Sequence, residues 1–316
     1  MSRFRPRRGR RRRRPRVRPA PTPAPSGPGG HSTERTLRAY TSRMNVRLRR
    51  APIALLAIVA VASPLGCLAP NARDETRARP RDGLDGYRLT TGDSRSLAGC
   101  RYDYRVYTPV NSGATTTVML GHGFLRDQDT LVGLARALAN AGHRAVTLDF
   151  CNMRPWNGHH ERNARDLVAL SGHVGATDVV YAGFSAGALA ALLAGAGDPA
   201  TRGVITLDLV DQGGLAGTAL AGLAVPLVGL QGPPSSCNAN GSGQRVFDTR
   251  PEASLATLSG ASHCEFESPT DRLCEIACGD DDADDERVRE DIIRRVVEAV
   301  GRLDGNSRAA TSASSL

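Results

Sequence analysis

The stretch Val179-Val180-Tyr181-Ala182-Gly183-Phe184-Ser185-Ala186-Gly187-Ala188-Leu189 reads as three structures in succession. Residues 178–182 are an apolar run of strand type, Gly-x-Ser-x-Gly is a sharp turn, and the alanine and leucine run over 186–196 is a helix. A strand that turns directly into a helix strains its apex residue. Side chains at the two flanking positions would then collide with neighbouring backbone, which accounts for glycine at 183 and 187. Ser185 is thereby placed at a helix N-terminus, where free N–H groups and the helix dipole favour developing negative charge. The five-residue pattern alone arises by chance in a chain with 34 glycines. It gains weight from the strand before it and the helix after it.

Outward from this stretch, strands and helices alternate. Strands are predicted over residues 102–108, 115–120, 145–150, 203–207, 226–230 and 253–258. Helices are predicted over 128–141, stopped by Gly142, over 161–171, and over about 285–303. Apolar strands alternating with helices predict an α/β domain with a mostly parallel sheet covered on both faces. There is no internal repeat and no second core.

A serine needs a base, and the base needs an orienting acid. His263 is the one histidine after Ser185, in the small-residue loop Leu258-Ser259-Gly260-Ala261-Ser262-His263. Asp208 ends the strand Val204-Ile205-Thr206-Leu207-Asp208, at the sheet edge where ligands bind in open α/β folds. Asp211, Asp248 and Glu252 are the alternatives. Where the acid often follows the next strand, Gln231-Gly232-Pro233-Pro234-Ser235-Ser236-Cys237 has none, and this favours Asp208. Leu120-Gly121-His122-Gly123-Phe124 ends a strand with His-Gly, so the N–H groups of Phe124 and Ala186 are the expected oxyanion hole. His122 is expected to shape that turn.

Composition excludes other classes. All 41 basic residues are arginine, so lysine Schiff bases, Walker-type phosphate loops and Ser-Lys dyads are ruled out. The formal charge of +9 is unevenly spread. Residues 1–50 hold 17 arginines against Glu34, while the remainder carries 24 arginines against 31 acids, a charge of −7. Residues 1–43 are Arg/Pro-rich, with no apolar period, and are expected to be disordered. They are either a phosphate-binding arm or a stretch upstream of a true start at Met44. Residues 44–66 have the form of an export signal: Arg47, Arg49 and Arg50, then an uncharged apolar run over 53–62, too short to span a membrane. Export, no nucleic-acid partner for the mature domain, and a monomer are the expectations.

Leu65-Gly66-Cys67 resembles the end of a bacterial lipoprotein signal, with Pro64 where leucine is usual. Lipidation of Cys67, the one route to a membrane, and ordinary secretion both stay open. Residues 67–85 read as a tether, 86–303 as the domain and 304–316 as a disordered tail. Six further cysteines, Cys100, Cys151, Cys237, Cys264, Cys274 and Cys278, read as three disulfides in an exported chain. No zinc spacing and no cofactor motif are present. Asp280 to Glu286, with six acids in seven residues, reads as a solvated lead into the last helix ahead of a calcium site.

At the elbow, His-Gly, Asp208 and His263, the chain resembles the α/β-hydrolase superfamily, over about residues 86–303. Within it the chain is similar to the branch of cutinase-like polyester hydrolases, platelet-activating-factor acetylhydrolases and chlorophyllases. Ala186 stands where chlorophyllases carry arginine, and Phe184 where polyester hydrolases carry histidine. The resemblance implies a carboxylic ester hydrolase working through an acyl-enzyme. A thioesterase or peptidase on the same triad and a silent surface protein are the rivals. It also implies Cys100 paired with Cys151, Cys237 with Cys264, and Cys274 with Cys278. Only 17 residues separate Asp208 from Pro226, enough for one short helix, so no sizeable lid is expected. Phe124, Trp156 and Phe266 are candidates to line the cleft. A loop tryptophan covering core is the plainer reading of Trp156.

Overall fold

The computed structural model describes residues 86–111, 113, 116–151, 158–278 and 285–313. In chain order these form β1 (Tyr87–Arg95), β2 (Arg101–Pro109), β3 (Thr116–Gly121), α1 (Val132–Asn140), β4 (Arg144–Leu148), α2 (His160–His173), β5 (Asp178–Phe184) and α3 (Ala186–Gly197). There follow β6 (Thr201–Leu207), α4 (Leu215–Gly222), β7 (Leu227–Gln231), α5 (Gln244–Asp248), β8 (Ser254–Thr257), α6 (Arg272–Cys278) and α7 (Asp285–Ala313). Residues 1–85, with Cys67, and the loop with Trp156 lie outside the described residues, as does the acidic run as far as Asp284.

The eight strands make one sheet in the order β1-β2-β4-β3-β5-β6-β7-β8. β2 runs antiparallel to both β1 and β4, and β3 to β8 are parallel. The alternation of side chains divides the core in two. Val118, Leu120, Val180, Ala182 and Ile205 face α1 and α7, whose Leu134, Leu138, Ile292, Val296 and Val300 cover them. Met119, Val146, Val179 and Tyr181 point the other way onto α2 and α3. Leu189 and Leu192 of α3 pack onward against α4 and α5. Full burial of each such leucine contributes about 2 kcal/mol. A strand buried on both faces carries an unbroken apolar run, which is why β5 was plain in the sequence.

The structure departs from the sequence reading in several places, among them the unexpected short helices α5 and α6. β1 lies outside the expected strands, because its half-buried face offers only Tyr87 and Leu89 as apolar residues, too short an alternation to read as a strand. The helix expected over 128–141 opens as a 3-10 turn, Gln128–Leu131. α7 continues past Leu303, where a tail is expected, as far as Ala313. The disulfides are Cys100–Cys151, Cys237–Cys278 and Cys264–Cys274. The expected Cys237–Cys264 and Cys274–Cys278 pairs are thus exchanged. Cys274 and Cys278 lie on one face of α6 with nearly parallel Cα–Cβ bonds, so each reaches out to a loop in place of the other.

The Asp208 to Pro226 connection holds the single eight-residue helix α4, so no lid domain stands between β6 and β7. Peptide mapping of the unreduced protein should yield the three cross-links Cys100–Cys151, Cys237–Cys278 and Cys264–Cys274. A Cys274–Cys278 peptide would contradict this arrangement.

Candidate active site

Ser185 sits at φ 55° and ψ −117° between β5 and α3. It is a non-glycine residue in a sparsely allowed region, held by its N–H donating to the Leu207 carbonyl at 2.8 Å. The flanking glycines are required by contact. A Cβ on Gly183 would lie 2.3 Å from the Gly187 carbonyl oxygen, and one on Gly187 would lie 2.2 Å from that of Gly121 and 2.4 Å from that of His122. The start of α3 therefore touches the end of β3 backbone to backbone.

The structure brings together the three residues proposed from the sequence. His263 Nε2 is 3.1 Å from Ser185 Oγ, and its Nδ1 is 2.5 Å from Asp208 Oδ2. Nδ1–H donates to the carboxylate, which leaves Nε2 as the acceptor facing the serine hydroxyl. Asp208 is 0% exposed, and a buried carboxylate needs donors. Its Oδ1 accepts from the Gly232 N–H at 3.0 Å and from Asn238 Nδ2 at 3.3 Å. Asn238 is itself fixed, with Oδ1 accepting from the Ser235 and Gly241 N–H groups at 2.8 Å and Nδ2 donating to the Pro233 carbonyl at 2.8 Å. The loop after β7 thus supplies the holder of the acid. The sequence reading missed Asn238, because a loop asparagine 30 residues from its partner leaves no periodic trace. Asp211 instead caps α4 through the Ala216 N–H at 3.0 Å.

The loop expected to supply an oxyanion donor is built on His122, which is fully buried. Its Nδ1–H donates to the Gly123 carbonyl at 2.9 Å and its Nε2 accepts the Phe150 N–H at 2.9 Å. Both bonds together require the neutral ring. Burial pushes its pKa below the ordinary histidine value, against the pull of the Gly123 bond. His122 therefore shapes the loop that carries Phe124. Ala186 is the first residue of α3, and its N–H is one of those that a helix cannot satisfy internally.

Beside Phe124, Arg126 meets Glu267 in a bidentate pair, Nε to Oε1 and Nη2 to Oε2, each at 2.7 Å. Its Nη1 lies 3.0 Å from Asp271. Burial works against the guanidinium, yet the bonds to Glu267 and Asp271 outweigh it and raise the Arg126 pKa. For Glu267, complete burial outweighs Arg126 and raises the carboxyl pKa. Such a pair contributes more to position than to net stability. Neither residue was singled out in the sequence, being 141 positions apart.

Two proposed cleft residues fare differently. Phe124 is half-buried at the site. Phe266 is 3% exposed and packs in the core with Leu230 and Ala261, because the 3-10 turn over Cys264–Phe266 carries its ring inward. It does not line a cleft. Cys264, Cys274 and Cys278 have sulfurs within 4.8 Å of one another. Each is half of a disulfide, not the thiolate that a metal takes. His160 opens α2 and bonds Gln212 at 2.5 Å.

An eight-stranded sheet in this order, with β2 alone running against the other strands and a serine elbow after β5, is the α/β-hydrolase fold. No protein-family model matches the chain, and no curated protein does. Among solved structures it is similar to a dienelactone hydrolase from Anabaena variabilis ATCC 29413, 19% identical, over 56% of this chain and 88% of that one, with a TM-score of 0.47. It is also similar to the esterase domain of a Rhodothermus marinus protein, 17% identical, over 56% of this chain and 90% of that one, with a TM-score of 0.47.

Two outcomes follow from the contacts. Gly187→Ala should leave no soluble folded domain or one without a working site, read by circular dichroism and by serine-directed labelling. A native-like, fully active variant would refute the contact argument. The second concerns His122, neutral in the fold but free to protonate when unfolded. Its contribution is complete above the ordinary histidine pKa of 6.5 and is lost as pH falls below it. Denaturation midpoints should therefore fall over that range, with a shallower slope in His122→Gln, which keeps an acceptor but does not titrate.

Proposed function

We propose that this protein is an exported serine hydrolase of carboxylic esters. The observation that carries the reading is the hydrogen-bonded series from Asp208 through His263 to Ser185 at the elbow. His263 Nε2 takes the hydroxyl proton as Ser185 Oγ attacks the ester carbonyl carbon. The oxygen turns anionic and is held by the N–H groups of Phe124 and Ala186, each worth roughly a hundredfold in rate. Collapse breaks the bond to the alcohol, which leaves with the proton from His263, and an acyl-Ser185 ester remains. His263 then takes a proton from water, the hydroxide attacks the acyl carbon, and Ser185 leaves with that proton. Asp208 keeps the imidazole in the required tautomer throughout.

The short β6 to β7 connection supports an open cleft that admits bulky esters. Three disulfides fit an oxidising compartment. They support export by the signal over 44–66, with Cys67 lipidated or the chain secreted. The domain's negative charge gives no reason to expect nucleic acid as a partner, and no step needs a cofactor.

A fluorophosphonate probe should label the purified domain, and Ser185→Ala should abolish labelling and lower kcat on p-nitrophenyl esters by a factor on the order of 10⁵ to 10⁶. Asp208→Asn should lower kcat by about 10⁴ with folding intact. Labelling that survives Ser185→Ala would overturn the assignment. Amide or thioester turnover exceeding ester turnover would move the protein to a peptidase or thioesterase.

A further inference from the structure

We infer that Arg126 is a positioning residue that locks the oxyanion loop to the histidine loop, through Glu267, so that the hole and the base form one rigid unit; this rests on the ester-hydrolase reading above. The two loops come from distant parts of the chain. Phe124, the expected oxyanion donor, is two residues before Arg126, and His263 is four residues before Glu267. The bidentate contact at 2.7 Å on both arms is the direct bridge between them.

Three observations say that the bridge holds a particular geometry. First, all three guanidinium nitrogens are engaged, the third with Asp271 at 3.0 Å, and the planar fork fixes orientation as well as distance. The Arg126 side chain is 13% exposed and that of Glu267 is 0%, so water does not compete. Second, Leu125 between Phe124 and Arg126 has φ 57° and is 60% exposed. A leucine is strained there and gains little from burial, so the surroundings must impose the conformation. The Arg126 N–H to Gly123 carbonyl turn at 3.2 Å and the clamp on its side chain do so. Third, the receiving end is immobilised. The Glu267 carbonyl accepts from Arg289 Nε of α7 at 2.9 Å. Its N–H donates to the Cys264 carbonyl at 3.1 Å, and the Ser268 N–H donates to the Thr130 carbonyl at 2.7 Å. Arg126 thus pulls against a segment that cannot follow it.

A clamp of this kind acts on the transition state. The carbonyl oxygen becomes anionic only after attack, so a displaced Phe124 N–H weakens the intermediate far more than the bound ester. Arg126→Met, Arg126→Lys and Glu267→Gln would be compared on p-nitrophenyl acetate and with a trifluoromethyl ketone, whose serine adduct carries the same oxyanion. In Arg126→Met, kcat should fall about tenfold or more with KM within about twofold, and ketone affinity should fall by a similar factor. Arg126→Lys, which keeps the charge without the fork, should recover part of the loss. A folded Arg126→Met with unchanged kcat, or with the loss confined to KM, overturns the inference. So does a variant that only melts earlier. Should Arg126→Met not fold, Glu267→Gln must show the same split, and its unchanged kcat overturns the inference equally. A wild-type domain inert to both esters and fluorophosphonate would overturn the hydrolase reading itself. An active wild type with unaffected variants overturns the clamp alone.

Discussion

The rest of the structure depends on a contact with no side chain in it. The first turn of α3 presses onto the carbonyls of Gly121 and His122, and Gly183 presses onto the carbonyl of Gly187. A single Cβ at either position would overlap backbone, which cannot move out of the way as a flexible side chain can. This contact sets how far the serine stands from the loop after β3. It also forces Ser185 into its positive φ, since a relaxed residue there would swing α3 off the sheet. The strain is held by β5 lying between β3 and β6 and by the apolar packing of α3 on both flanks.

Once the elbow is fixed, the proposed chemistry is a matter of placing an acid and a base around it without stranding charge. The sheet offers Asp208 at the end of β6, next to β5, but a carboxylate there is wholly out of water. The loop after β7 resolves this by aiming the Gly232 N–H and the Asn238 amide at the oxygen that His263 does not use. One oxygen is thereby dedicated to structure and the other to the imidazole. Removing either donor leaves an under-satisfied buried anion, at a cost of about 1–3 kcal/mol. Asn238 is therefore as much part of the site as a residue that never meets substrate can be.

What could be read from the sequence follows from this division. Gly183, Ser185 and Gly187 were legible because a backbone contact dictates residue type at fixed spacing. Asp208 was legible because it ends an apolar strand and the loop after Gln231 has no acid. His263 stood alone as a histidine after the serine. β1 was not legible, since its inward face carries only Tyr87 and Leu89 as apolar residues before it turns to Gly92 and Ser94, too few to set a period. Asn238, and the pair of Arg126 with Glu267, act across 30 and 141 positions, and nothing local marks either end. Phe266 misled because an aromatic residue beyond a strand's carboxyl end suggests a cleft, whereas the 3-10 turn decides which way the ring points.

The disulfides show where such a fold needs help. Across the buried middle of the sheet no cross-link is required, because paired strands with apolar faces already fix one another. The loops beyond β7 and β8 have no such support, and they carry Asn238 and His263. Cys237 immediately precedes Asn238, Cys264 immediately follows His263, and their partners Cys278 and Cys274 both sit on α6. One seven-residue helix is thus tied to the loops of Asn238 and of His263. The two ties close 41 and 10 residues of sequence separation, each constraining the unfolded chain by about 2–4 kcal/mol in the loop-entropy account. Their larger consequence is local. With the loops that carry Asn238 and His263 both bonded to α6, the His263 end of its contact with Asp208 is tied covalently to the same helix as the Asn238 that holds the Asp208 end by a hydrogen bond.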